Sequence, residues 1–196
     1  MMIKKLSRLT GVSVIFFLAL LIAGLDSCSN NSASMQAKID SLQTELKKFT
    51  DDQALVGLHL MRFDSLDFDV YSHAKWDLLN VSHDDNIVVT YPDGHQTTGI
   101  KTHIEELKPM FVFAPDTRIE EHPIKFGSGE FTCVTGFILG TFTKSMPIGG
   151  GLTVPPTGKT FKLPMCTVGQ WKNGKMIAEN LYWDNQSFMK QIGLAK

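Results

Sequence analysis

The chain is poor in the features that announce several large classes of protein. Its 196 residues carry 19 Lys and Arg against 20 Asp and Glu, a net charge of −1, and no cationic cluster beyond the first residues. It therefore offers no basic surface to a phosphate backbone, and nucleic acid is excluded as a partner. The apolar run Val12–Leu25 is 14 residues long. A helix that crosses a bilayer needs about 20, so this run is too short for a permanent span. No His-Glu-x-x-His stretch occurs, and His83, Asp84 and Asp85 are neighbours on one loop, where adjacent residues rarely close around one ion. No metal and no cofactor are expected. No Ser/His/Asp order or reactive-cysteine context supports a covalent mechanism. The stretch Thr153 to Thr160 ends in Gly158-Lys159-Thr160, but Thr153 stands where a phosphate loop has its first glycine. A strand follows instead of a helix, so no helix dipole or row of free amides would hold a phosphate. No internal repeat is present.

What is there begins with Lys4, Lys5 and Arg8 ahead of the apolar run, the charge-then-apolar order of a secretory signal. Leu25-Asp26-Ser27-Cys28 then reads as a bacterial lipobox, with Cys28 as the lipidated first residue of the mature chain. The competing reading is an ordinary signal peptide with an incidental cysteine. Several acyl chains on Cys28 would hold the protein durably at the bacterial cell envelope, each buried methylene adding about 0.8 kcal/mol. Ser29 to Ser34 is small and polar, a flexible spacer. Met35, Ile39, Leu42, Leu46 and Phe49 recur at spacings of four and three, the stripe of a stalk helix or of a short coiled coil with a second copy. The organisation expected is a signal peptide over 1–27, spacer and stalk helix over 28–50, and one domain over 51–196.

About 145 residues suit one hydrophobic core. Thr50 and Gln53 form a capping-box pair that predicts a new helix start. A second helix is predicted between Ser65 and Leu79, and a third over Lys101 to Phe113. Asn86 to Tyr91 is β-branched and closed by Pro92-Asp93-Gly94, a strand and its turn. Strands are predicted from Arg118 to Phe126, Glu130 to Thr143, Thr160 to Trp171 and Met176 to Trp183, the last two joined tightly by Asn173-Gly174. Asp184 or Asn185 would cap a closing helix. Helices first and a meander afterwards indicate an α+β fold, a curved antiparallel sheet packed on three N-terminal helices. Cys133 and Cys166 fall on strands, either bonded or buried as free thiols.

Gly140-Thr141, Pro155 to Phe161, Asn173-Gly174-Lys175-Met176-Ile177-Ala178-Glu179, Trp183-Asp184 and Gln191-Ile192-Gly193-Leu194 follow one another in an order that resembles the SnoaL-like polyketide cyclases. Asp85 to Val89, Pro92-Asp93-Gly94 and Gly99 extend the likeness, which covers roughly Phe63 to Leu194. The resemblance implies a nuclear-transport-factor-like cone, often paired as a homodimer through its sheet, with a pocket for a small and largely apolar molecule. It also implies an aspartate acting as acid and base, and Asp184 matches that position. Such chemistry needs a carboxyl lifted by a poorly solvated pocket. On a regular strand Tyr182 and Asn180 would share its face and orient a carbonyl. The other reading of Asp184 is the cap of the last helix. Glu179 alternates with Ile177, Leu181 and Trp183 and reads as structural. The family's cyclases also use a histidine near the aspartate, and none lies between Thr160 and Asp184, which counts against cyclase activity. His95, His103 or His122 would reach the pocket only if the fold brings them there, and the other reading of each is a surface or satisfied position. Trp76, Tyr91, Phe111, Phe113 and Tyr182 are expected pocket walls. The functional expectation is an envelope-anchored protein that binds a small hydrophobic or carbonyl-bearing molecule and transfers a proton on it. The alternative is a non-catalytic binding or assembly lipoprotein.

Overall fold

A computed structural model describes the backbone of residues 7–196 and the side chains of residues 31–196. Residues 1–6 and the side chains of the signal sequence and of Cys28 lie outside the described residues. The chain divides into two compact units, 1–51 and 52–196. The first is the N-terminal part of helix α1 (Ser7–Ser65). Residues 31–34, expected as spacer, are helical, and no new helix starts at Thr50. The reason is local. No Pro or Gly interrupts residues 29–56, and the Thr50 hydroxyl donates back to the Lys47 carbonyl at 2.8 Å instead of capping. The stripe Met35, Ile39, Leu42, Leu46 and Phe49 is exposed throughout.

In the second unit α1 gives way to a π-helical turn, Leu66–Tyr71. Here Ser72 N–H reaches the Asp67 carbonyl (3.1 Å) and Lys75 N–H the Val70 carbonyl (2.9 Å), one residue wider than an α-turn. The wider turn brings Leu66, Asp67, Val70 and Tyr71 onto one buried face. The helix predicted to Leu79 therefore ends early. The Ser72 hydroxyl takes the Asp67 carbonyl (2.6 Å), the His73 ring takes that of Phe68 (3.1 Å), and Ala74 adopts φ 51°. A 3-10 turn, Trp76–Val81, follows.

The remaining elements are β1 (His83–Thr90), β2 (Gln96–Thr98), α2 (Ile100–Phe113), β3 (Arg118–Ile119), β4 (Lys125–Ser128), β5 (Phe131–Thr141), β6 (Met146–Gly149), β7 (Leu152–Val154), β8 (Thr160–Lys172), β9 (Lys175–Trp183) and α3 (Asn185–Gln191). One sheet has the order β2-β1-β9-β8-β5-β3, with β4 also on β5, while β6 and β7 form a separate hairpin. The meander from β3 to β9 is antiparallel, and the expected all-antiparallel sheet is corrected at one place, because β1 runs parallel to β9. The α+β class stands, with a mixed sheet. Asn173 (φ 52°) and Gly174 (φ 75°) supply the two positive angles of the tight β8–β9 turn.

Alternation sends Thr132, Val134 and Ile138 of β5, and Leu163, Met165, Thr167 and Trp171 of β8, to the buried side. The inward side chains form two clusters. One gathers Phe63, Leu79, Ile87, Val89 and Trp171; the other gathers Phe113, Ile138, Phe142, Leu163 and Ile192. Leu107 and Trp183 touch both.

Candidate active site

A cavity of about 250 Å³ remains where the two clusters meet. The π-turn contributes Leu66, Asp67 and Tyr71 to its wall. Helix α2 contributes His103, Glu106, Leu107 and Met110, the i, i+3, i+4, i+7 positions of one helical face. Strand β9 adds Glu179, Leu181 and Trp183, every second residue. His83 enters from the start of β1, where the β1–β9 register shifts between His83 and Val88. Asp84 accepts from the Asn86 amide (2.9 Å) in that irregular stretch, which leaves His83 pinned inward beside Met176.

Two groups of titratable side chains result. Asp67 accepts a hydrogen bond between its Oδ2 and His122 Nε2 (2.9 Å), and His122 Nδ1 meets Asp64 Oδ1 (2.8 Å). Lys125 also reaches Asp64. Burial lifts the Asp67 carboxyl above the ordinary carboxylate value; His122 opposes the rise without cancelling it, and the charge of Glu179 adds to it. Burial would lower His122, but Asp67 and Asp64 outweigh it and hold the imidazole above its usual range. Burial would raise Asp64, and Lys125 and His122 reverse that. Among the described residues the second Asp67 oxygen has no hydrogen-bond partner, and Asp67 lines the cavity.

The second group is Glu179 with His83 and His103, all buried. His83 Nε2 and His103 Nε2 stand 3.6 and 3.4 Å from Glu179 Oε2. Ser82 Oγ holds His83 Nδ1 (2.8 Å), and the Tyr91 hydroxyl holds His103 Nδ1 (2.8 Å). Burial pushes His103 down to about 4; the Glu179 carboxylate pulls the other way, and His83 adds to the fall. Burial would raise Glu179, but its two histidines hold it below the usual carboxylate range.

Among the residues expected from sequence, Tyr91, His95 and His103 line the cavity. Asp184 does not, and its expected orientation is corrected. Its Oδ1 accepts from the Gln186 amide (2.8 Å) and its Oδ2 from the Ser187 hydroxyl (2.6 Å), the work of a helix cap at the start of α3. Those bonds, Ser187 first, hold its carboxyl below the ordinary value, opposite to what a proton carrier in a dry pocket needs. Tyr182 and Asn180 are corrected likewise: neither lines the cavity, and Tyr182 is 55% exposed on the other side of the sheet. Trp76 and Phe111 pack edge-on with Tyr71, and Phe113 packs with Phe142 and Phe188, so all three belong to the core around the site. Asp67, Glu179 and His83 escaped the sequence reading as site residues. Strand alternation did place Glu179 with Leu181 and Trp183, which is the cavity face; a carboxylate in such a row is the signal that was available.

The fold and its walled cavity define a class: a nuclear-transport-factor-like α+β domain with titratable groups inside. A family model for the SnoaL-like polyketide cyclases matches residues 65–192. The chain belongs to that family. Among solved structures it is similar to a candidate SnoaL-like polyketide cyclase of Jannaschia sp. CCS1 (TM-score 0.62, 17% identity, covering 72% of this chain and 96% of that one). It is also similar to IdmH of Streptomyces antibioticus, a candidate polyketide cyclase (TM-score 0.59, 17% identity, 69% and 98% covered). A third is a protein of Catenulispora acidiphila with a ketosteroid-isomerase-like fold, in complex with trimethylamine (TM-score 0.54, 11% identity, 69% and 92% covered). No curated protein sequence matches this one.

Proposed function

We propose that the second unit binds a small, largely apolar carbonyl compound in the cavity and moves a proton on it, with Asp67 as acid and base. The observation that carries this is the Asp67 carboxyl: it lines the cavity, burial lifts it, and one oxygen is fixed by His122 while the other has no hydrogen-bond partner among the described residues. As carboxylate it takes a proton from the carbon beside a carbonyl, leaving an enolate, and as carboxylic acid it returns that proton to carbon. A cavity of about 250 Å³ is below the usual range for drug-sized ligands, so the substrate is compact. The test is solvent-deuterium incorporation into a panel of small cyclic ketones, followed by NMR. The full chain is expected to speed exchange, and Asp67→Asn to lower it by about 10²–10⁴-fold with binding retained. Binding without exchange in the unaltered protein would leave the non-catalytic binding reading.

The sequence around Cys28 supports a lipid anchor at the bacterial cell envelope as part of the same proposal. Labelling with a radioactive fatty acid tests it: incorporation lost in Cys28→Ser is expected, and label retained in that variant would refute it. The outer side of the sheet exposes Phe131 and Tyr182, which supports pairing of two copies there. Light scattering on the purified chain decides between dimer and monomer.

A further inference from the structure

We propose that His83, His103 and Glu179 bind one divalent first-row transition ion, of the zinc or ferrous class, in the cavity wall. The three donor atoms lie within 4.8 Å of one another, and all three side chains are buried. Two of these atoms, His83 Nε2 and Glu179 Oε2, have no hydrogen-bond partner among the described residues. Such orphaned buried polar atoms are costly, and this pair faces each other.

The second shell fixes which ring atoms point inward. The Ser82 hydroxyl donates to the Leu79 carbonyl (3.2 Å), so it accepts from His83 Nδ1–H and leaves the Nε2 lone pair toward Glu179. The Tyr91 hydroxyl meets His103 at Nδ1, and the two rings stack 5.5 Å apart with both Nε2 atoms toward one carboxylate oxygen. Holding the outer ring nitrogen so that the inner one is free is how proteins orient metal-binding imidazoles.

Distances separate an ion from the simpler alternative, a shared proton. A charge-assisted N–H···O bond draws its partners to about 2.7–2.9 Å. Three donors around an ion, each about 2.1 Å from it, stand about 3.4 Å apart in a tetrahedral arrangement. The separations are 3.4 Å for His103 to Glu179 and 3.6 Å for His83 to Glu179. These fit the edges of a coordination shell and are too long for a proton bridge. Two imidazoles and a carboxylate suit zinc, iron or cobalt over magnesium or calcium, which favour all-oxygen shells. Three protein donors leave a fourth position open toward the cavity, where water or a ligand oxygen would sit. The site stands whether or not Asp67 acts on a substrate.

The test is titration of the chelator-stripped full chain, in detergent, with zinc chloride in a calorimeter, and with cobalt(II) followed by visible absorption. One equivalent of zinc, a cobalt spectrum of low coordination number and a zinc-dependent rise in melting temperature are expected. Glu179→Gln and His83→Gln should each weaken zinc binding by at least about 100-fold, since even second-shell changes cost 10–100-fold. His73→Ala, which removes an exposed imidazole outside the site, should leave it unchanged. No stoichiometric uptake by the folded wild type, or equal affinity in the Gln variants, overturns the proposal. If a variant does not fold, X-ray absorption on the zinc-loaded wild type decides: a first shell without two imidazoles overturns it.

Discussion

Replacing His122 with glutamine tests the electrostatic frame of the cavity. The His122 side chain is 1% exposed and bridges Asp64 and Asp67, whose side chains are 26% and 11% exposed. Removing one partner of a buried ion pair costs about 3–5 kcal/mol, because the other charge is left desolvated. Asp64 keeps Lys125, so the cost falls on Asp67 and lies near the lower end, about 3 kcal/mol. For a domain of this size each kcal/mol moves the melting temperature by about 2–4 °C, so His122→Gln should melt roughly 6–12 °C lower.

The pH dependence has a definite sign. His122 is held above its ordinary value, so the stability it contributes is fully present below about pH 6.5 and is lost as pH rises through its folded value. Asp67 is also raised, and what it contributes is likewise lost as pH rises through its own folded value. Asp64 is lowered; its contribution is present above its unfolded value and disappears only as pH falls through the folded one. The gap between wild type and His122→Gln should therefore be widest at mildly acid pH and narrow above neutrality. Urea denaturation followed by tryptophan fluorescence at several pH values measures it. A variant within about 1 kcal/mol of wild type at pH 6, or a gap that widens toward pH 9, would refute the reasoning.

Asp184→Ala should lower thermal stability slightly by uncapping α3 while leaving ligand affinity intact, and a loss of binding equal to that of a cavity residue would return Asp184 to the site. Gly140→Ala should cost about 1–3 kcal/mol by overpacking, because its new Cβ would stand 2.5 Å from the buried Phe161 ring; urea melts check it, and a neutral result would show a ring free to move. The Cys133 and Cys166 sulfurs are 3.6 Å apart on neighbouring strands, and burial, then Cys133, pushes the Cys166 thiol up to about 11. Alkylation of Cys166 at pH 8 should therefore be slow, while oxidation should close a bond between cysteines 33 residues apart in sequence and stabilise the fold by roughly 3–4 kcal/mol. An unchanged thiol count after oxidant would exclude that bond.

Much of the scaffold was legible because it is written locally. Asn173-Gly174 specified the β8–β9 turn, and the β-branched run at Ile87 to Val89 specified β1. The cavity-facing row of α2 follows from a 3.6-residue period. The parallel pairing of β1 with β9 was not legible, since nothing in either strand encodes a partner so distant in sequence. Nor was the π-turn: an α-helix and a π-turn share one apolar pattern over a single turn, and the choice is made when Ser72 and His73 claim the Asp67 and Phe68 carbonyls.

Asp184 shows why the chemistry was harder to read than the scaffold. At a strand-to-helix junction an aspartate can hold backbone amides or sit in a dry pocket, and the two demand opposite environments. A cap needs its oxygens occupied by donors at the surface, which keeps the carboxyl ionised. A proton carrier needs burial and one vacant oxygen. Bonds from Gln186 and Ser187 commit Asp184 to the first role. The burial that the second role demands is met instead at acids that tertiary packing desolvates, and in this chain those are Asp67, raised by burial, and Glu179, held down by two imidazoles. Their opposite shifts in one cavity divide the labour: a carboxyl raised by burial suits proton transfer, while one held down beside two histidines suits a cation.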